Sequence, residues 1–468
     1  MGVLVVWLVF TSKLEFGKKI KWPELGPDCL VGNVSDKDRR GNQDLSQTIE
    51  RRSANYQPAA WSYDLLESLK KDNREEIFDG GVKTLEKMYE DRAKKLEEEV
   101  KCRMYDDNIE PLALLELVDD IQNLGLGYRF EKDIKRSLQR RILEVSNVTL
   151  EKSLHAAALS FRILRQHGYE NGNFQAELCK DVKGMLSLYE ASYHAFEEEN
   201  LLQEAKAFTR THLKNLDANI DKSIQELVNH AMELPSHHRM LRLEARWRIE
   251  EYKRREGADD VLLELAILDF NMVQSSLLRE LQDMSRWWRR MGIANKLQFA
   301  RDRLMESFFW AVGMVFEPEY SNCRKGLTKV AALITTLDDI YDIYGSLDEL
   351  EQFTDAVESN DLASWKAEIE GGESAKSISC YMNQTGLSED RAREHMNILI
   401  DESWKKMNKV RAVDSSSPFE KPFVETAINP ARIAQCTYQY GDSHSAPDDR
   451  SKKRVLSVIV EPIPLMER

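Results

Sequence analysis

Hydrophobic positions recur at helical spacing over most of this chain. Between residues 80 and 255, runs with an apolar residue at every third or fourth position predict amphipathic helices. Pro111 is placed to open one of them, and Gly125 and Gly127 to close it. No alternating β-branched run is long enough to predict a strand. The pattern predicts an all-α fold, with helices at 82–102, from Pro111, and at 153–166, 186–199, 201–213, 220–233 and 261–273.

Two pairs of polar residues occur in this region of the sequence, but no further candidate catalytic residues accompany either pair. Asp119 and Asp120 fall on the helix opened by Pro111, and His237 and His238 follow Pro235. We interpret the aspartates as a solvated helix face and the histidines as a loop pair.

A charged, glycine-containing break at residues 254–260 predicts a domain boundary. Residues 1–50 form a leader that we expect to be disordered, because residues 22–50 carry scattered Pro, Gly, Asp and Asn. Its apolar start is too short to span a bilayer and lacks a signal peptide's basic flank, and the stretch is not Ser-rich and acid-poor like a transit peptide. We therefore divide the chain into a leader, 1–50, and helical domains at 51–256 and 257–468.

Composition and charge narrow the function classes. The 468 residues are 42% hydrophobic and 31% charged, as in a soluble globular protein, and the net charge is -14. This charge argues against nucleic acid or an anionic membrane as partner, so an anionic substrate would need metal ions or an arginine cluster. Six scattered cysteines without a CxxC pair predict reduced thiols. Without an HExxH motif, zinc is not expected.

The stretch at residues 332–345 carries the most chemistry, because an apolar helical run ends there in three carboxylates. Asp338 and Asp342 share one helix face, and Asp339 is about 100° away. Oxygen ligands of this kind suit Mg²⁺ or Mn²⁺. A solvated acidic helix end is the alternative. The apolar residues directly before the acids favour a metal site at the mouth of a pocket.

Arginines and aromatic residues accompany this stretch. Arg301 and Arg303 lie near the start of the helical hairpin that ends at Asp338, and guanidinium groups match phosphate oxygens. Phe308, Phe309 and Trp310 follow, either as core packing or as a ring face that stabilises a carbocation. Upstream, Arg51 and Arg52 precede Trp61. The two arginines are interpreted either as a surface pair beside a buried tryptophan ring or as part of a charged flap that covers an acidic pocket.

Five motifs in order resemble a plant terpene synthase, most of all the angiosperm monoterpene and isoprene synthases. They are RRSANYQPAAW (51–61), SRWWRR (285–290), RDRLMESFFW (301–310), LDDIYDIYG (337–345) and ARIAQCTYQYGD (431–442). The resemblance covers the chain from about residue 48 to its end. It implies an N-terminal relic α-barrel at 51–256 and a C-terminal class I α-bundle at 257–468 that holds the active site.

The resemblance also implies roles for individual residues. Asp338 and Asp342 would bind Mg²⁺, with Asp339 completing the motif, and Arg301 and Arg303 would bind the diphosphate of a prenyl diphosphate substrate. The resemblance also implies that the protein is located in a plastid. The sequence contains no convincing transit peptide, and the alternative location is the cytoplasm. The other implied site residues are Arg51, Arg52 and Trp61 in a closing strap, Trp310 in the cavity wall, and Tyr438 and His444 near the pocket.

A second metal motif, (N/D)DxxSxxxE, occurs at residues 360–368. A helix would place Asn360, Ser364 and Glu368 on one face, as a second Mg²⁺ requires. In the resembled family a long run of chain separates the two motifs, whereas here Asn360 follows Asp338 by 22 residues. A segment on the order of 100 residues, several helices with their loops, is therefore missing, and we expect the C-terminal domain to be incomplete.

Three functions remain open. The first is a Mg²⁺-dependent lyase, and the second is an inactive descendant of one. The third, a chain-elongating prenyltransferase, would require a second DDxxD motif. Geranyl diphosphate is the first expected substrate, because Ala331 stands where isoprene-forming members carry a bulky Phe. Dimethylallyl diphosphate is the second and farnesyl diphosphate the third. We expect a monomer or weak homodimer, with neither nucleic acid nor membrane as partner.

Overall fold

The computed structural model describes residues 56–68, 79–140, 153–169, 181–216, 220–345, 382–412 and 421–466, without positions 57, 65, 383, 384 and 445. In these ranges every regular element is a helix, which confirms the predicted all-α fold. The predicted leader, Arg51, Arg52 and the second metal motif lie outside the described residues.

Eight α-helices between residues 79 and 252 form most of the N-terminal part of the described chain. Three of them start at capping side chains: Ser153, Asp181 and Asp221 each accept hydrogen bonds from backbone amides of the first helical turn. The helices are α1 Asp79–Met104, α2 Pro111–Asn123, α3 Gly127–Arg140, α4 Leu154–Gln166, α5 Val182–Ser192, α6 Asn200–Lys214, α7 Lys222–Glu233 and α8 Leu241–Tyr252.

Two predicted boundaries in this part are wrong. The helix expected at 186–199 begins at Val182, because Asp181 caps it, and ends at Ser192. Beyond it the chain turns back, and the Glu199 carboxylate accepts a hydrogen bond from the Phe196 amide at 2.8 Å. Gly127 does not close α2 but begins α3.

Among the elements whose bounds the structure describes, seven α-helices follow the break at residues 253–259. The first of them runs far beyond the predicted end at residue 273 and includes the SRWWRR motif; Asp259 caps its start, and Gly292 ends it in a left-handed conformation (φ 66°). The helices are α9 Asp260–Met291, α10 Ile293–Lys296, α11 Leu304–Met314, α12 Ser321–Asp339, α13 Glu389–Ala412, α14 Lys421–Tyr438 and α15 Asp449–Ile459.

Helix α9 joins the two parts of the molecule. It is long and apolar enough to cross a membrane, but its apolar side chains lie in two cores. Its first part, from Leu262 to Phe270, packs with α1, α2 and α3, and the part from Val273 to Trp288 packs with α11, α14 and α15. A third core joins α4, α5, α6 and α7. The N-terminal helices therefore pack on a helix beyond the predicted boundary.

The interpretation of Asp119 and Asp120 as a solvated helix face is wrong. Asp119 pairs with Arg162 of α4 at 2.8 Å, and Asp120 pairs with Arg255 at 2.9 Å. Both carboxylates are mostly covered. These ion pairs tie α2 to its neighbours, and the partners are 43 and 135 residues away, beyond the reach of a local pattern.

His237 and His238 lie in the connection between α7 and α8, as predicted, but they are buried there. They form a short 3-10 turn, in which His238 stacks on Trp404 at 4.0 Å and His237 Nε2 lies 2.8 Å from Asn408 Oδ1. Burial lowers the pKa of His238 to about 3, so its ring is neutral near neutral pH. The pair fastens the segment before α8 to α13.

Candidate active site

The carboxylates at the end of α12 divide into one exposed and one buried group. Asp338 is exposed, whereas Asp339 keeps 1% of its surface accessible. After Asp339 the helix widens into a π-helical turn, Ile340–Tyr344, in which the Gly345 amide donates to the Ile340 carbonyl at 2.8 Å. The expected regular α-helical spacing to Asp342 is therefore wrong, and the Asp342 side chain lies outside the described residues.

Arg301 holds the buried carboxylate. Its Nε and Nη2 lie 2.8 Å and 2.7 Å from Asp339 Oδ1, and its backbone amide donates to Oδ2 at 2.6 Å. Burial lowers the pKa of Arg301, but the hydrogen bond and charge of Asp339 outweigh this and raise it. In the structure Arg301, a predicted diphosphate ligand, is thus paired with Asp339, a predicted metal ligand. The centre of the Tyr56 ring lies 4.7 Å from the Arg301 guanidinium.

Arg303 is buried beneath the loop that follows α14. Only 1% of its surface is accessible; its Nε donates to the His444 carbonyl at 3.1 Å and its Nη1 to the Asp302 carbonyl at 3.0 Å. These bonds make Arg303 an anchor for the loop. Its predicted contact with diphosphate stays a prediction.

His444 faces α12 as a neutral ring. Thr335 Oγ1 donates to the Ala331 carbonyl at 3.0 Å, so it accepts from His444 Nε2 at 3.2 Å. Burial, reinforced by the charge of Arg301, lowers the pKa of His444 to about 4. This assigns the proton to Nε2 and leaves Nδ1 as an acceptor.

A small cavity separates His444 from Trp310, whose ring meets the imidazole edge-on at 6.3 Å. Among the described residues, His444 Nδ1 and Trp310 Nε1 are buried without a hydrogen-bond partner. The cavity measures about 30 Å³ and has room for a bridging water. Ligand sites of about 300 Å³ or more are typical, so it does not hold a prenyl chain.

Residues 56–64, which we call the strap, contact the residues that follow Arg301 through side-chain hydrogen bonds. Trp61 Nε1 donates to Glu306 Oε1 at 3.0 Å, and the Tyr63 hydroxyl donates to Asp302, which also accepts from Trp288 Nε1 at 3.0 Å. Trp61 therefore lines the small cavity beside Trp310, and its role in a closing strap stays a prediction.

Removal of the Trp61 indole N–H in Trp61→Phe is expected to lower the free energy of unfolding by about 1–2 kcal/mol near pH 8, because a mostly buried carboxylate loses its donor. Burial raises the pKa of Glu306, while the Trp61 bond opposes that rise. The loss should therefore shrink at a pH below the raised pKa of Glu306, where the carboxyl takes up a proton. Urea unfolding at both pH values measures it. Trp287→Phe is the control, and an equal loss there would contradict the role of this bond.

Tyr438, another predicted site residue, is less buried than Trp61, Trp310 and His444. Tyr438 ends α14 with 54% of its surface exposed. Sequence reasoning missed Tyr63, Glu306 and Thr335; a hydroxyl inside the apolar run before Asp338 was the available signal for Thr335. In the part of the chain that the structure describes, no three His, Cys, Asp or Glu side chains form a metal-binding group. Arg51, Arg52, Asn360, Ser364 and Glu368 lie outside that part.

Comparison with known proteins decides the family. Residues 60–232 match the profile "Terpene synthase, N-terminal domain", and residues 289–361 match "Terpene synthase family, metal binding domain". Residues 358–406 match "Terpene synthase family 2, C-terminal metal binding". An isoprene synthase from Populus alba is 42% identical over 559 aligned positions, which cover 90% of this chain and 92% of that protein. The chain belongs to the terpene synthase family.

Further relatives of this terpene synthase family member carry different activities in their names. The tricyclene synthase of Medicago truncatula is 40% identical over 90% of this chain and 93% of its own length. The crystal structure of isoprene synthase from grey poplar, with three Mg²⁺ ions and dimethylallyl-S-thiolodiphosphate, is 42% identical. It superposes with a TM-score of 0.74 over 87% of this chain and 100% of that one. The family acts on prenyl diphosphates as lyases.

The alignment with the Populus alba enzyme is longer than the whole of this chain, because it includes positions at which this chain has no residue. Ninety per cent of 468 residues is about 421, against 559 aligned positions, so roughly 140 positions have no residue here. The two metal-binding profiles meet at residues 358–361, where the sequence predicts the junction. The deficit is similar in size to the predicted missing segment.

Proposed function

We propose that the reaction built into this chain is the Mg²⁺-dependent ionisation of geranyl diphosphate to a monoterpene and diphosphate. The observation that carries the proposal is the exposed Asp338 carboxylate beside the buried Arg301–Asp339 pair at the end of α12. An exposed carboxylate is the donor type that Mg²⁺ takes when it also binds substrate phosphates. Family membership supplies the reaction class.

The metal would be held by Asp338 and Asp342, and by Asn360, Ser364 and Glu368 of the second motif. Bound Mg²⁺ supplies the charge that stabilises the departing diphosphate. Arg301 adds a positive charge at the same end of the helix, and the buried Asp339 fixes its position. In this proposal Arg303 orients the loop that carries His444.

The proposed wall for the hydrocarbon is aromatic and uncharged. The Trp310 ring offers a π face to a carbocation, an interaction that contributes about 2 kcal/mol when desolvated. Because His444 is neutral near pH 7, it does not repel the cation. Both residues thus suit a cationic intermediate.

Ala331 is the proposed determinant of substrate length. It lies two helical turns before Asp338 and therefore on the same face of α12, and its side chain is small. In a form that contains the missing segment, Ala331→Phe should shift the ratio of kcat/KM towards the C5 diphosphate by about tenfold or more, since the ring occupies the space of the longer chain. Ala332→Phe, which points into the core, is the control expected to lose stability without this shift. An unchanged ratio in Ala331→Phe would contradict the steric argument.

A second candidate function is isoprene formation from dimethylallyl diphosphate. It is favoured by the 42% identity to isoprene synthases over most of the chain. Comparison of kcat/KM for the C5 and C10 diphosphates, in the completed form, separates the two candidates. A clear preference for the C5 substrate would replace geranyl diphosphate as the proposed substrate.

The chain of 468 residues is expected to turn over little of either substrate. The second motif follows the first by 22 residues, and the described cavity beside Trp310 is too small for a prenyl chain. Gas chromatography of products, with both diphosphates and Mg²⁺, tests this expectation. Product formation at about 1 s⁻¹ or faster, an ordinary rate for an enzyme, would contradict it.

We also propose a plastid location, because the isoprene and tricyclene synthases that the chain resembles are named chloroplastic. Import of the labelled chain into isolated chloroplasts tests it. If the labelled chain does not enter the chloroplasts, the proposed plastid location is wrong.

A further inference from the structure

A second, larger cavity lies between the two parts of the molecule. It measures about 420 Å³ and is bounded by α7 and α8 on one side and by α14 and α15 on the other. Small-molecule sites commonly have this size and occur where domains meet. The reaction proposed above uses none of the groups that distinguish this cavity, so its occupant is a separate question.

One wall of the cavity is apolar. Leu234 and Met240 are buried there with 8% and 2% of their surfaces accessible, and Leu243 lies beside them. Trp247 is held in place by His230, whose ring stacks on it at 3.5 Å. This wall suits the hydrocarbon part of a ligand.

Each side of the cavity carries one arginine that is held by neutral acceptors, Arg246 on α8 and Arg454 on α15. Arg246 donates to the Glu461 carbonyl at 2.6 Å, and Arg454 donates to the Cys436 carbonyl at 2.8 Å and to Gln439 Oε1 at 3.1 Å. Within the described ranges, neither has a carboxylate within ion-pair distance. Burial lowers the pKa of Arg246, and the charges of Glu250 and Glu461 oppose this without reversing it.

The other charges at the cavity are largely matched. Glu244 lies 2.8 Å from Arg248 and 3.5 Å from Arg239, which also reaches Glu233 at 3.4 Å. Glu250 is the remaining carboxylate in the lining.

The charged side chains of the lining balance, with three arginines and three glutamates, and the charges of Glu250 and Glu461 both act on Arg246. Arg246 and Arg454 differ from Arg239 in that their hydrogen bonds go to neutral acceptors, which leaves both guanidinium groups able to take an anionic group.

We propose that this cavity binds a small organic anion with an apolar body and one carboxylate or phosphate group. The head group lies between Arg246 and Arg454, whose planar donors suit such oxygens. The body lies against Met240 and Leu243. The site is distinct from the end of α12, although Cys436 and Arg454 also line the small cavity beside Trp310.

Isothermal titration with three probes tests the proposal on the full chain. Octanoate, which carries both features, should bind with a Kd in the micromolar to low-millimolar range, while acetate and 1-octanol should bind at least about tenfold more weakly. Arg246→Gln and Arg454→Gln should each weaken octanoate binding by about tenfold or more, because each removes a charge-assisted hydrogen bond. Arg286→Gln, at an exposed arginine on α9, is the matched control and should bind as the unchanged chain does.

Two further variants keep the test decisive. Ser457→Glu places a carboxylate beside both arginines without removing them, and should abolish octanoate binding even if an arginine variant fails to fold. Arg301→Gln should leave octanoate binding unchanged, which separates this cavity from the end of α12. The proposal is overturned if octanoate does not bind at about 10 mM, if 1-octanol binds equally well, or if Ser457→Glu binds as the unchanged chain does.

Discussion

Replacing Asp338 with alanine is expected to lower turnover of a prenyl diphosphate by at least about a hundredfold, and to leave the helical circular dichroism spectrum unchanged. The enzyme for this test is the form completed between residues 357 and 360 with the corresponding segment of the Populus alba relative. Turnover falls because the exposed carboxylate is a proposed Mg²⁺ ligand, and removal of a ligand weakens stabilisation of the departing diphosphate. The fold persists because substitutions at exposed positions usually change stability by about 0.5 kcal/mol or less.

Initial rates across a Mg²⁺ titration measure this effect. Asp283→Ala is the matched control, since Asp283 is an exposed aspartate of α9 whose partner is Arg286. It should retain the rate and Mg²⁺ dependence of the parent enzyme. A near-normal rate in Asp338→Ala would show that Asp338 is not a metal ligand.

Replacing Arg301 with alanine is expected to lower the free energy of unfolding by about 3 kcal/mol, because a buried carboxylate loses its charged partner. The carboxylate is that of Asp339, with 1% of its side chain exposed against 14% for Arg301. The Arg301 amide still donates to Asp339 Oδ2 in this variant, which limits the loss. Asp339→Asn should destabilise by a smaller amount, because Arg301 reaches solvent.

A double-mutant cycle measured by urea unfolding isolates this pair. We expect a coupling of about 1.5 kcal/mol or more between Arg301→Ala and Asp339→Asn. Arg289→Ala is the control: Arg289 and its partner Asp64 are exposed and its other partner Glu67 is half-buried, so the loss should stay below about 1 kcal/mol. A coupling indistinguishable from zero would mean that the buried pair does not hold the end of α12.

The sequence by itself determined the fold class, the family and the order of the motifs. Helical periodicity and caps act within a few residues, so the starts of α2 and α4 follow from Pro111 and Ser153. The short separation of the two metal motifs is likewise a property of the chain alone. These features require no knowledge of which distant residues meet.

Only the tertiary structure decided which groups are buried and with what they pair. Asp338 and Asp339 are neighbours in sequence, yet Asp339 alone is buried, because Arg301, 38 residues earlier, lies against it. Asp119 was misjudged and the burial of His237 was missed for the same reason, since their partners Arg162 and Asn408 come from other helices. The cavity at Arg246 and Arg454 exists because α8 and α15 pack side by side. Such contacts depend on how the helices pack, and no local spacing encodes them.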